Sequence, residues 1–353
     1  MAIMNYGTSA SRNLIRAAQG MLEHAQPITV LGDFGTQREM PQNSTDTLVF
    51  RRTLPFGATT AGTTIEGSAR YAGTPVVAAN DFVLAEGVTP NSNTISFQDV
   101  SVQLQQFGVL FKFSSKTELL YEDDIPGEMV KVTGETMAEI LEMVRYGVLK
   151  AGSTVIYANG TSRAAVNTPI VLGALRKAAR TLESNRAKRV TSRVAPGPNF
   201  NTRAVQPSYV VFVHTDTVAD IRNLPGFTRV EEYGSFKPIH DREVGACEDY
   251  RFVSSPLLRP FLAAGATVAG TGMLSIGASN VDVYPVIIIG EDAWGQVALK
   301  GMSAIKPTVI KSSTISHANP LGQFGYVGAS TWFAAVRLND QFMARIECGV
   351  TAL

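Results

Sequence analysis

Apolar residues recur at every second position through Ile95, Phe97, Val100, Val102 and Leu104, with one shift in phase, so residues 95–113 read as long strand material. Residues 47–54 alternate in the same way. Between these runs, residues 56–93 are rich in Gly, Ala, Thr and Pro and are longer than a loop inside a compact domain. A projecting hairpin that packs on another molecule accounts for them. The period then changes to that of a helix over residues 125–150. Thr133, Met137, Ile140, Leu141, Val144 and Val148 share one face, Glu122, Asp123 and Asp124 suit the positive start of the helix, and Gly152 follows its end. At ~1.5 Å per residue this helix is roughly 39 Å long.

A second amphipathic helix is predicted over residues 171–182, and a buried strand at 209–214 leads into a helix at 217–223. Strands are expected at 281–289, 296–300, 308–312 and 331–345. Residues 1–46 hold one short helical pattern, 11–24, and otherwise read as an extended polar arm punctuated by Gly32, Gly35, Pro41 and Asn43. No repeat or low-complexity tract interrupts the pattern.

The 353 residues suit two structural regions. Only 17% are charged, against a usual value near 25%, which leaves much uncharged surface for partners to cover. Lys plus Arg number 31 and Asp plus Glu 30, so net charge supplies no overall attraction to nucleic acid or membrane. Cys247 and Cys348 are expected to be free thiols. The first twenty residues lack the apolar core of a secretory signal. The uncharged stretch 261–281 carries too many glycines for a membrane helix and reads as a neutral loop or edge hairpin.

Candidate chemistry is sparse. Asp33-Phe34-Gly35 resembles the magnesium-binding triplet of protein kinases, but no glycine-rich phosphate loop or catalytic-loop signature accompanies it. Gly270-Thr271-Gly272 lacks the Lys-Ser/Thr ending of a phosphate loop. His214, Asp216 and Asp220 form the one grouping that could ligate a metal or orient a general base. Asp216, however, stands where a helix N-cap belongs, and capping is its expected role. No catalytic residue, metal site or cofactor is therefore assigned. Arg176, Lys177, Arg180, Arg186, Lys188, Arg189, Arg193 and Arg203 stand against the single acid Glu183. A solvated helix face is the plain reading of this cluster, and contact with phosphates or an acidic neighbour the sharper one.

An arm, a projecting hairpin, one long helix and a β-rich remainder suggest a subunit that interlocks with its own copies. Specific strings then carry a resemblance. Phe50-Arg51-Arg52-Thr53-Leu54-Pro55 and Glu86-Gly87-Val88-Thr89-Pro90 resemble segments of tailed-phage major capsid proteins of the enquatrovirus type. So do Tyr209 through His214, Val283-Tyr284-Pro285, Gly290 through Gly295, Asn319 through Gly328, and Met343 through Glu347, in the family's order. Thr215, where the family often has Pro, and Ala329-Ser330, in place of a frequent Trp-Lys, are departures.

The resemblance implies an α+β chain with the Johnson capsid fold: an N-terminal arm (1–46), an extended-loop region (47–118), a peripheral domain with a spine helix (119–165), an axial domain (166–310), and a return to the peripheral domain (311–353). Arg51, Arg52, Glu86, Gly87, Val88 and Pro90 would make inter-subunit contacts, and Met137, Ile140, Leu141, Val144 and Val148 would lie on the spine. The implied partners are further copies in hexamers and pentamers, packaged double-stranded DNA, a portal protein, and scaffold or decoration proteins, with no membrane. The shell would be the virion capsid, assembled in the host cytoplasm. An encapsulin-type cellular shell and a metal-dependent hydrolase built on His214, Asp216 and Asp220 are the alternatives.

Overall fold

The structure is a computed structural model and describes residues 21, 29–43, 45–53, 83–89, 95, 97–120, 124–194, 202–234, 237–277, 279–299, 306–317 and 319–353. Its strands are β1 (Thr36–Met40), β2 (Thr47–Thr53), β3 (Phe97–Gln103), β4 (Gln105–Ser114), β5 (Val155–Tyr157), β6 (Val190–Val194), β7 (Thr202–Val213), β8 (Phe227–Arg229), β9 (Glu243–Cys247), β10 (Tyr250–Ser254), β11 (Tyr284–Ile289), β12 (Trp294–Leu299), β13 (Lys306–Ile310), β14 (Phe324–Arg337) and β15 (Met343–Cys348). Its helices are α1 (Ser115–Leu120), α2 (Ile125–Lys150), α3 (Leu172–Ser184) and α4 (Val218–Arg222). The chain divides into two units, one drawn from Met1–Leu48, Val102–Gly147 and Gly295–Val336, the other from Val49–Ser101, Val148–Trp294 and Arg337–Leu353.

In unit one a five-stranded sheet runs β1-β12-β14-β13, with β4 antiparallel to β14 from Gln105 to Ser114. Met137 of α2 packs with Phe113, Val327, Ala329 and Met21, all buried. Gly134 lets residue 21 come this close: a Cβ there would meet the Met21 carbonyl oxygen at 2.4 Å. Asp124 caps the start of α2, accepting from Gly127 N at 3.3 Å, while Glu122 and Asp123 lie outside the described residues. The loop before β14 is tied down by Asn319, whose Nδ2 donates to Phe324 O at 2.8 Å and whose Oδ1 accepts from Gln323 N at 2.8 Å.

Unit two holds an eight-stranded mixed sheet, β5-β15-β11-β7-β10-β9-β8, with β6 also paired to β7. Every residue of β11 and β15 is buried, and so are Tyr209 through Val213 of β7; β11 and the β7 run are continuously apolar, as in a sheet covered on both faces, whereas β15 buries Arg345 and Glu347 among its apolar residues. Helix α3 supplies one cover through Ala174, Leu175, Ala178 and Leu182, and Tyr250 Oη donates to Leu175 O at 2.7 Å. Cys247 and Cys348 are free and buried, as expected. The stretch 261–281 is a neutral loop joined by isolated bridges, Phe261 to Val283 and Thr267 to Asn280. Buried Asp282 holds it by accepting from Ala263 N at 2.7 Å and Ile276 N at 2.8 Å. Among the described residues no helix is long and apolar enough to cross a membrane.

The structure departs from the sequence pattern in three places. The expected strand 331–345 is two strands in different sheets, β14 and β15, because Asn339 accepts from Gln341 N and starts a 3-10 turn, Asp340–Phe342, between them. Residues 95–113 likewise form two strands that part at Leu104, whose N–H donates to Asp46 O at 3.0 Å. The buried side of α2 also differs from the apolar face read from spacing. Thr133 and Met137 are buried, but Ile140, Leu141, Val144 and Val148 are half-buried, and toward the C-terminus burial passes to Glu142, Arg145, Tyr146 and Leu149. At 100° per residue that is a rotation of roughly 100° along the helix.

Candidate functional site

The strands β2 and β3 form a two-stranded ribbon. Arg51 Nε and Nη2 donate to the two Asp99 oxygens at 2.8 and 2.9 Å, and the guanidinium lies 5.9 Å from the Phe97 ring centroid. The hydrogen bonds raise the Arg51 pKa and lower that of Asp99. Both side chains face water, so the fork fixes cross-strand register more than it adds stability. Arg52 Nε donates to Gln98 Oε1 at 2.8 Å with Nη2 on the same oxygen, and burial lowers its pKa. Val49 and Phe97 are 48% and 55% exposed, which leaves the ribbon with uncovered apolar side chains. Downstream, Val88 N donates to Ala85 O across a turn in which Gly87 takes φ +76°, a conformation that suits glycine. Val83, Leu84 and Val88 around that turn are exposed, as is Glu86, and Pro90 lies outside the described residues.

Helix α2 carries a buried polar network that spacing alone passed over. Glu142, 1% exposed, accepts from Leu31 N at 3.0 Å and from Arg145 Nη1 at 2.7 Å. Arg145 Nε donates to Gln296 Oε1 at 2.9 Å, and Gln296 Nε2 donates to Gly32 O at 2.7 Å. The Arg145 guanidinium also lies 4.9 Å from the Phe333 centroid. Arm, helix and sheet of unit one thus share one closed set of hydrogen bonds, with the peptide of residues 31–32 as its third side.

Unit two has a counterpart. Glu347, fully buried, accepts from Arg163 Nε and Nη2 at 2.7 and 2.8 Å and from Arg345 Nε at 2.9 Å. Arg345 Nη1 also donates to Lys150 O, with Gly152 O at 3.4 Å, and so satisfies carbonyls at the end of α2. Phe261 is flanked by Arg163 at 3.5 Å and Lys150 at 4.1 Å. Burial, then the nearby Arg163 and Arg345 charges, lower the Lys150 pKa. The available signal was a pair of opposite charges at close spacing in each case: Glu142 and Arg145 three apart on a helix, off the apolar face read from the pattern, and Arg345 and Glu347 alternating in an otherwise apolar strand.

The basic cluster is less positive in space than in sequence. Arg176 donates to Glu248 Oε1 at 2.9 Å, and Arg189 to Glu183 Oε1 at 2.6 Å and Asp249 Oδ1 at 2.8 Å. The turn between β9 and β10 supplies Glu248 and Asp249, acids more than forty residues away in the chain. Lys177 and Arg180 are exposed on α3, Arg186 and Lys188 follow that helix, and the side chains of Arg193 and Arg203 lie outside the described residues.

Asp216 does not cap the helix as the sequence suggested. His214 does: its Nδ1 accepts from Asp216 N at 3.1 Å, at the start of the 3-10 turn Thr215–Thr217. The chain turns one residue pair earlier than the pattern implied, which puts Asp216 inside the turn with its carboxylate accepting from Tyr284 Oη at 2.8 Å. Asp220 Oδ2 accepts from Thr351 N at 3.0 Å. These three side chains therefore hold β7, α4 and the C-terminal segment together. Among the described residues no three His, Cys, Asp or Glu side chains are grouped to hold a metal.

No family model matches the chain. The chain is 20% identical over 315 residues, 82% of its own length and 77% of the relative's, to a protein named major capsid protein of Pseudomonas phage KPP21. Among solved structures it is similar to the capsid of Ralstonia phage GP4, at TM-score 0.60 and 12% identity over 89% of this chain and 87% of that one. It is similar also to a chain of the cyanophage Pam1 capsid asymmetric unit, at TM-score 0.57 and 13% identity over 100% of this chain and 95% of that one. The capsid structure of cyanophage P-SCSP1u gives TM-score 0.55 and 12% identity over 92% and 88%.

Proposed function

We infer that the chain is a major capsid protein of the tailed-phage type, with the α+β Johnson-type capsid fold, whose copies build a phage head shell. The observation that carries this reading is the agreement of fold over nearly the whole length of both chains with separate phage capsids. The curated relative adds a sequence match in the same order across most of the chain. An encapsulin-type shell shares the fold class, but the relative and the structures compared above come from phages. The hydrolase alternative loses its support where His214, Asp216 and Asp220 are taken up in capping and strand-to-loop hydrogen bonds.

Within that role, the β2–β3 ribbon and the segment around Glu86, Gly87 and Val88 are the extended loop laid over a neighbouring copy, which would cover the apolar side chains now open to water. Helix α2 is the spine, and residues 166–310 form the axial region that gathers at hexamer and pentamer axes. Each contact is modest, but a subunit in a closed shell leaves only when many break together. Lys177, Arg180, Arg186 and Lys188, exposed members of the basic cluster, face packaged double-stranded DNA without sequence preference or an acidic patch of a neighbour. Portal, scaffold and decoration proteins complete the set of partners, with assembly in the host cytoplasm before the shell becomes the virion capsid.

The test is negative-stain electron microscopy with sedimentation velocity on the chain expressed in bacteria, alone and together with neighbouring phage genes. Closed icosahedral shells in either preparation are the expected result. A compact monomer in both would overturn the reading.

A further inference from the structure

The chain has a single Asn-Gly pair, Asn159-Gly160, in the segment between β5 and α3 of unit two. An asparagine followed by glycine is prone to lose ammonia, because the unhindered glycine lets its own backbone nitrogen swing onto the asparagine side chain. Here four hydrogen bonds hold that side chain. Its Oδ1 accepts from Asn167 N at 3.0 Å and from Thr168 Oγ1 at 3.1 Å, and its Nδ2 donates to Ala165 O at 3.1 Å and to Asn167 Oδ1 at 2.6 Å. Two lone pairs and two N–H groups are all that a carboxamide has, so Asn159 is saturated.

The surroundings make this hold a structural joint. Gly160 takes φ +69°, and a Cβ there would meet Ala165 Cβ at 2.6 Å, so the turn that brings residues 159 and 165 together requires glycine. The segment is woven into its neighbours: Ala158 N donates to Glu347 O at 2.9 Å, Gly349 N to Thr168 O at 2.8 Å, and Ala266 N to Val166 O at 3.0 Å. Between these ties the 3-10 turn Arg163–Ala165 presents Arg163 to the buried Glu347. The residue pair that the turn requires is therefore also the pair with a chemical liability.

We propose that Asn159-Gly160 is a spontaneous modification site that the fold keeps closed and that opening of residues 159–168 releases. In the open segment Gly160 N bonds to Asn159 Cγ, the Cγ–Nδ2 bond breaks, and ammonia leaves with the proton given up by Gly160 N. One water molecule then opens the cyclic imide at either carbonyl, giving aspartate or isoaspartate at position 159. In the folded chain Cγ would have to move onto Gly160 N while partners on residues 165–168 hold the carboxamide at four points, so reaction waits on local opening. Neither product rebuilds the joint. Both leave Ala165 O and Asn167 Oδ1 facing oxygen in place of a donor, and isoaspartate also adds a methylene to the main chain ahead of Arg163. A chain that dwells unfolded is thereby marked and kept from closing this segment again. The site belongs to the single chain and does not rest on shell formation.

The purified chain is incubated at pH 8 in buffer and in urea. The tryptic peptide 151–163, whose one asparagine is Asn159, is then followed by mass spectrometry with chromatographic separation of the two products. The expected result is conversion at least about tenfold slower in buffer than in urea. Hydroxylamine, which traps the cyclic imide, should cut the chain between residues 159 and 160 in urea and spare it in buffer. Asn167→Ala and Thr168→Val, each checked for folding by circular dichroism, should convert several-fold faster than the parent in buffer and at the parent's rate in urea. Chain converted in urea and returned to buffer should be cleaved by protease within residues 151–168 faster than unconverted chain treated alike. The proposal is overturned if buffer and urea give equal rates, if neither folded variant converts faster than the parent, or if the converted chain regains the parent's resistance to protease.

Discussion

Glu142 in unit one and Glu347 in unit two are both carboxylates with at most 1% of their surface exposed, yet they are neutralised by different means. Glu142 meets one cation, Arg145 on its own helix, and completes its hydrogen bonding with the Leu31 peptide N–H. Glu347 meets two arginines by three N–H bonds, with Lys150 close by across Phe261. The first arrangement is short of cations and draws in backbone from the arm. The second is rich in cations, and Arg345 also holds Lys150 O, the last carbonyl of α2, with Gly152 O just beyond it. A buried charge with too few partners thus ties down a distant segment, whereas one with spare partners fixes a helix end.

The largest expected effect comes from removing the anion of the cation-rich site. Glu347→Gln keeps the shape but withdraws the carboxylate from the nearly buried Arg345 and from the half-buried Arg163, and removing one partner of a buried ion pair costs about 3–5 kcal/mol. Chemical denaturation of the unassembled chain measures it. Arg163→Ala should cost much less, because Arg345 still pairs with Glu347. Equal losses for the two variants would break the idea that the site has cations to spare.

At Glu142 the order should invert. Arg145→Met removes the one cation paired with Glu142 among the described residues and leaves the carboxylate buried, at a cost of about 3 kcal/mol. The paired change Glu142→Leu with Arg145→Met should recover part of that stability, since an apolar pair of similar volume replaces the ion pair. It should not recover the arm, because Leu31 N loses its acceptor. Limited proteolysis between residues 29 and 40 reads the difference. An arm as protected as in the parent would show that Glu142 does not tether it.

A smaller effect is expected from Gly134→Ala. The added methyl would meet backbone of Met21 at 2.4 to 2.9 Å, so residue 21 must withdraw from α2 or the helix must shift. Overpacking of this kind costs about 1–3 kcal/mol. Loss of stability together with new cleavage near residue 21 is the expected outcome, and unchanged denaturation would mean that the close approach is not required.

Much of this fold was legible because period and burial agree where one face of an element meets one core. The bounds of α2 and the buried run of β7 were read from pattern alone, since each is long and strongly periodic. The rest was lost where tertiary neighbours decide. β1, with the polar sequence Thr36-Gln37-Arg38-Glu39-Met40, is a strand only because it lies as an edge beside β12. The break between β14 and β15 hides in continued alternation, and only the Asn339 cap marks it. The positive charge of the α3 region was overstated because Glu248 and Asp249 arrive from another hairpin. The ribbon residues Arg51 and Arg52 could be picked out by resemblance, but their partners Asp99 and Gln98 required the register.

Cys348 offers the finest probe of the Glu347 charge, because it follows Glu347 directly in β15 but faces the apolar core on the other side of the strand. Burial first, then the neighbouring Asp220 and Glu347 charges, push this thiol up to about 12 from an ordinary 9.0. A folded-state value above the unfolded one means that the stabilising effect is fully present below pH 9 and is lost as pH rises toward 12. The parent should therefore lose stability across that window, and a disulfide-exchange reagent at pH 8 should label Cys348 only as fast as the chain unfolds. Cys348→Ala should flatten this part of the pH profile. Glu347→Gln, which removes one of the charges holding the proton on, should lower the thiol value and speed labelling beyond what its unfolding rate alone explains. Labelling that tracks unfolding equally in both proteins would show that the Glu347 charge is fully quenched by Arg163 and Arg345 before it reaches the next residue.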